Sequence, residues 1–80
     1  MNNLEIQKFI DGVNGAIHDF QDNEITDIEG AIAGFEVDPA DTPFQGGYLA
    51  GLVGIHEEGV MTTIGTLTSG ELRKVLERLE

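Results

Sequence analysis

His56 and Glu57 open the string HEEGV, and a His-Glu pair on a helix can begin a zinc-protease motif, in which a second His four residues on completes the ligand pair. Val60 stands at that position, so the second ligand is missing. His18 has Asp11 and Asp22 on the same helical side, about two turns and one turn away; that spacing suits a weak cation site or a pH-responsive imidazole, but a solvated surface His is the expectation. The stretch DNEITDIEGAIA, counted from Asp22 as a calcium loop, needs Gly at its sixth position and Glu at its twelfth and instead has Asp27 and Ala33. The chain has no Cys, and Ser69 is accounted for as part of a helix N-terminus rather than as a nucleophile. The glycines of GGYLAGLVG have no Lys beside them and no strand before them, unlike a phosphate-binding loop. No catalytic residue, metal ligand or cofactor site is therefore assigned, and the chain is expected not to be an enzyme.

Charge is the chemistry that remains. The stretch DFQDNEITDIEGAIAGFEVDPAD holds Asp19, Asp22, Glu24, Asp27, Glu29, Glu36, Asp38 and Asp41 and no Lys or Arg. Between Phe9 and Leu72 there are twelve acids and no basic residue, and the formal net charge of the chain is -11. Such a balance disfavours direct binding to nucleic acid or to an anionic membrane, because phosphates would meet carboxylates. Solubility alone also favours Asp and Glu, but a surface shaped only by solubility intersperses both signs, since unrelieved like charge destabilises the compact state. The eight acids are accordingly expected to meet Lys and Arg on a basic nucleic-acid-binding protein, occupying groups that otherwise hold phosphates.

The elements that must carry these acids are helical. Eighty residues make one domain, 1–80, and a domain of this size is marginal without a disulfide, a metal or self-association. Ile6, Phe9, Ile10, Val13, Ala16, Ile17 and Phe20 share an arc of about 120 degrees, which predicts a helix over 3–21, with Asn2 and Glu5 as a capping box. Gly12 and Gly15 fall off that arc, as if a bare surface were required there. Ile25, Ile28, Ala31, Ile32 and Phe35 predict a second helix, opened by Thr26 and Glu29 and broken by Pro39. Thr42, Pro43 and Gln45 start a third, ending at Gly59 and apolar or small nearly all round, as a helix buried on more than one side would be. The β-branched run VMTTIGTL, 60–67, is expected to be extended. TSGELRKVLERLE then forms a last helix, capped by Thr68 and Glu71, with Leu72, Val75, Leu76 and Leu79 on one face. The fold class is all-α, a small bundle of three to four short helices.

Gly47, Gly51 and Gly54, spaced by four and three, make a bare strip along the third helix. It either packs against another helix of the chain or, with Phe44 and Tyr48 beside it, forms a self-complementary homodimer contact. The size, the acidity, the absence of Cys and the segment TPFQGGYLAGLVGIHEEG together resemble small acidic bacteriophage anti-defence proteins, the anti-CRISPR and anti-restriction DNA mimics. That resemblance implies an inhibitor of a host-defence complex such as CRISPR-Cas. Two alternatives stand beside it: a homodimeric structural or regulatory protein built on the third helix, and a small-ligand sponge with Tyr48 and the glycine strip lining a pocket between protomers. MNNLEIQKF has neither the basic region nor the apolar run of a signal peptide, and no segment has the roughly 20 apolar residues of a membrane span. The cytoplasm is the expected location, the host's if the chain is phage-encoded.

Overall fold

The computed structural model describes residues 2–70 together with 73 and 74. Four helices follow one another: α1 (Asn3–Gln21), α2 (Ile28–Val37), α3 (Pro43–Glu58) and α4 (Val60–Ser69), with no strand among the described residues. The all-α bundle expected from the periodicity is the fold. No helix among the described residues is long and apolar enough to cross a membrane.

Each boundary has a local cause. In α1 the Glu5 amide donates to Asn2 Oδ1 at 2.9 Å and the Asn2 amide to Glu5 Oε1 at 3.3 Å, a closed capping box. The helix stops where Asn23 turns left-handed at φ 61°, a conformation Asn tolerates better than most residues. The Asn23 amide then donates to the Phe20 carbonyl and that of Glu24 to the Asp19 carbonyl, the paired bonds of a Schellman ending. α2 starts one residue later than expected: Asp27, not Thr26, is its cap, accepting from the Gly30 amide at 3.1 Å. α3 begins as the sequence indicates, with Pro43 first and the Gln45 amide on Thr42 Oγ1 at 3.1 Å.

The segment 60–67 corrects the sequence reading. It is helical, not extended, and forms most of α4. Val60, Ile64 and Leu67, spaced by four and three, pack on the core formed by Val13, Ile17 and Ile55, so the stretch has a helical apolar face despite its β-branched composition. Thr63 Oγ1 donates to the Gly59 carbonyl at 2.9 Å and Thr66 Oγ1 to the Thr62 carbonyl at 3.1 Å, which satisfies the hydroxyls within the helix. Gly59, at φ 98° and ψ 157°, ends α3 and begins α4 without an intervening loop. Thr68 belongs to α4 rather than capping a later helix, and the chain turns left-handed at Gly70. Most of the helix expected beyond that point, including the apolar face of Leu72, Val75, Leu76 and Leu79, lies outside the described residues.

α3 is the hub and touches the other three helices. Its tightest contact is with α1, where Gly12 and Ala16 on one helix meet Gly47 and Gly51 on the other. A Cβ at Gly12 would fall on the Phe44 carbonyl and lie 2.7 Å from the Tyr48 amide nitrogen; one at Gly47 would fall on the Phe9 carbonyl; one at Gly51 would lie 2.9 Å from the Ala16 methyl. Backbone therefore touches backbone, and Ile6, Val13, Leu52 and Ile55 close the core around the seam. α2 lies against α3 and has no fully buried residue; Ile28, Ile32 and Phe35 are half-buried.

Candidate functional site

The eight acids divide into two groups at the two ends of α2. Asp19, Asp22, Glu24, Asp27 and Glu29 surround the turn that enters the helix, while Glu36 is in its last turn and Asp38 and Asp41 follow it. Ten residues of helix hold the groups about 15 Å apart at 1.5 Å per residue. Seven of the eight are exposed, and Asp19 is half-buried.

Their local duties differ. Asp27 is occupied as the cap of α2, and Glu29, in the first turn, faces the positive end of the helix dipole. Glu29 also lies 3.7 Å from His56 Nε2 on α3, an ion pair when the imidazole is protonated. Asp19 accepts the Tyr48 hydroxyl at 2.6 Å. Burial first, and then the hydrogen bond and charge of Asp19 with the charge of Glu24, push the Tyr48 phenol up to about 12. Asp22 and Asp38, by contrast, are C-caps of α1 and α2, and Glu36 is in the last turn of α2, with no basic residue in that turn. Carboxylates there face the negative end of the helix, at a cost of about 0.3–1 kcal/mol each at low ionic strength.

Beside the first group stands an aromatic cluster that the spacing of acids alone does not reveal. Phe35 of α2 and Tyr48 of α3 have ring centroids 6.4 Å apart at 44°. The Phe44 and Tyr48 rings both lie over Gly15 of α1, where a Cβ would sit 3.5 Å from Phe44 Cζ and 3.7 Å from Tyr48 Cδ2. Phe44 is 45% exposed. The signal for this pair was their spacing of four on one helix, which placed them beside the glycine strip without indicating that Tyr48 meets Phe35.

The residues assigned to self-association are used within the chain. Gly47 and Gly51 are buried against α1, and a Cβ at Gly54 would lie 3.0 Å from Thr63 Oγ1 of α4. Of that set only Phe44 is exposed, with Tyr48 half-buried. A cleft of about 110 Å³ is lined by Val13, Ala50, Gly54, Glu58, Thr63 and Thr66; Tyr48 lies outside its lining. His18 and His56 are both exposed.

No protein-family model, curated protein or solved structure matches this chain. The functional reading therefore rests on the site's own chemistry.

Proposed function

We propose that the protein is a non-enzymatic binding protein that presents its acidic face to a basic nucleic-acid-binding surface, as an inhibitor of a host-defence complex such as CRISPR-Cas would. One observation carries this reading: Asp22, Glu36 and Asp38 are exposed at helix C-termini, where folding gains nothing from a carboxylate. Charge maintained against the helix dipole is accounted for by a gain elsewhere, and Lys or Arg on a partner supplies it. The separation between the two groups, about 15 Å by the helical rise, lets one partner surface engage both ends of α2.

The test is displacement of labelled duplex DNA from guide-loaded effector complexes. Wild-type protein should release the DNA, less effectively as salt rises. Two charge-reversed variants, Asp22→Lys with Glu24→Lys and Glu36→Lys with Asp38→Lys, should each lose most of this activity with the helical spectrum intact. Asp27 and Asp19 are left unchanged because they cap α2 and hold Tyr48. Glu77→Lys with Glu80→Lys is the control, of equal charge and outside the run from Asp19 to Asp41. Equal displacement by all three variants, or DNA that stays bound alongside the protein, would sink the proposal.

A further inference from the structure

We infer that the cluster of Phe35, Phe44 and Tyr48, bordered by Asp19 and Glu24, is the seat for an arginine side chain of the basic partner. This deepens the function proposed above and rests on it, because it names the group that the acidic face receives. Three features lead to it. Gly15 gives the Phe44 and Tyr48 rings a floor without a side chain, so two rings from α3 and one from α2 gather at the surface. The Tyr48 hydroxyl holds Asp19 through Oδ2 at 2.6 Å, and among the described residues no second donor reaches Asp19 Oδ1. Phe44, the most exposed of the three rings, has no role in the buried core.

An aromatic surface with a fixed carboxylate at its edge selects among cations. The guanidinium of Arg is planar and weakly hydrated; it lies flat on a ring while its edge N–H groups reach a carboxylate oxygen. The ammonium of Lys is a compact, strongly hydrated point charge that gains less from the ring. The acids at either end of α2 attract both residues alike. The aromatic seat is what distinguishes them.

The chain has a single Tyr and no Trp, so its intrinsic fluorescence reports from Tyr48 alone. The experiment titrates the intact protein with two peptides of equal length and net charge and without aromatic residues, one carrying Arg and the other Lys. Tyr48 emission should change with the Arg peptide, which should bind about five-fold more tightly, the size of one exposed cation–π contact. Phe44→Leu keeps apolar volume at an exposed position and should bring the two affinities within about two-fold. Asp19→Asn retains an acceptor for Tyr48 and should weaken the Arg peptide more than the Lys peptide. Equal affinities on the wild type overturn the inference with no variant needed, as does an Arg preference that survives both Phe44→Leu and Phe35→Leu. If the peptides bind equally and DNA is still displaced, only the aromatic seat falls. If neither peptide binds and no DNA is displaced, the acidic-face reading falls with it.

Discussion

Replacing single glycines by alanine should change stability in opposite directions at positions that look alike in the sequence. Gly12 and Gly15 share α1, Gly34 is in α2, Gly47 in α3 and Gly65 in α4, and alanine in a helix interior is intrinsically better than glycine by about 1 kcal/mol. At Gly34 and Gly65 a Cβ meets nothing within 4 Å, so that gain should appear nearly whole, about 0.5–1 kcal/mol. At Gly15 the nearest atom is a ring carbon at 3.5 Å, an ordinary contact, and the change should be neutral or mildly stabilising. At Gly12 the new methyl overlaps the Phe44 carbonyl and stands 2.7 Å from the Tyr48 nitrogen. Both are backbone atoms that cannot rotate away. Relieving the nitrogen contact alone requires α1 and α3 to separate by about 0.7 Å to reach 3.4 Å, which loosens the buried Ile6, Val13 and Leu52 together. Overpacking of this kind costs about 1–3 kcal/mol and sometimes more. After the propensity gain, Gly12→Ala and Gly47→Ala should each lose about 1–2 kcal/mol. In a domain of this size 1 kcal/mol moves Tm by about 4–8 °C, so thermal melts followed by far-ultraviolet circular dichroism separate the two classes clearly. If Gly12→Ala and Gly47→Ala melt at or above the wild type, α1 and α3 do not meet backbone to backbone and the account of the seam is wrong.

Alkaline titration of Tyr48, followed by phenolate absorbance, should show a midpoint near 12 in the folded protein against about 10 in urea, and Asp19→Asn should lower the folded value. Because the folded phenol titrates above the unfolded one, its stabilising contribution is complete below about pH 10 and is lost as pH rises toward 12; a melting temperature unchanged across that window would contradict the Tyr48 to Asp19 contact. Monovalent salt should raise the melting temperature, since the Debye length falls from about 30 Å at 0.01 M to about 10 Å at 0.1 M and screens the acids placed against the helix dipoles. A flat response to salt would mean that those acids are better compensated than their positions imply. Gly59→Ala should destabilise by about 1–3 kcal/mol although a Cβ there meets nothing within 4 Å, because φ 98° with ψ 157° is a region open essentially only to glycine.

The helices with local signals were legible to within a residue. Asn2 with Glu5 and Thr42 with Pro43 and Gln45 are caps whose partners lie three residues away, so nothing distant had to be known to place α1 and α3. α4 is hidden in the sequence because its β-branched composition points to an extended chain while Val60, Ile64 and Leu67 have helical spacing, and the Thr hydroxyls find acceptors one turn back that composition does not disclose. Gly12 falls off the apolar arc of α1, and that position alone indicates a bare surface. That α3 is the backbone that approaches there depends on which helix crosses α1 and where. The acids were visible as a run, but their division into two groups required knowing that α2 lies between them. The aromatic cluster needed three helices in register and was beyond one-dimensional reading.

The length of α2 also sets a distance between the two carboxylate groups. Ten residues are fewer than the roughly 12–15 at which an isolated helix becomes even marginal in water, and none of its side chains is fully buried, so it is the described element with the least to lose by local opening. As a helix it holds the two carboxylate groups about 15 Å apart; drawn out, the same ten residues reach about 33–36 Å. On the function proposed above, that range lets the chain match a basic partner whose groups are spaced unlike its own resting geometry. The free energy of unwinding α2 is then subtracted from the affinity, so the spacing on the partner surface becomes a quantity that binding strength reads out.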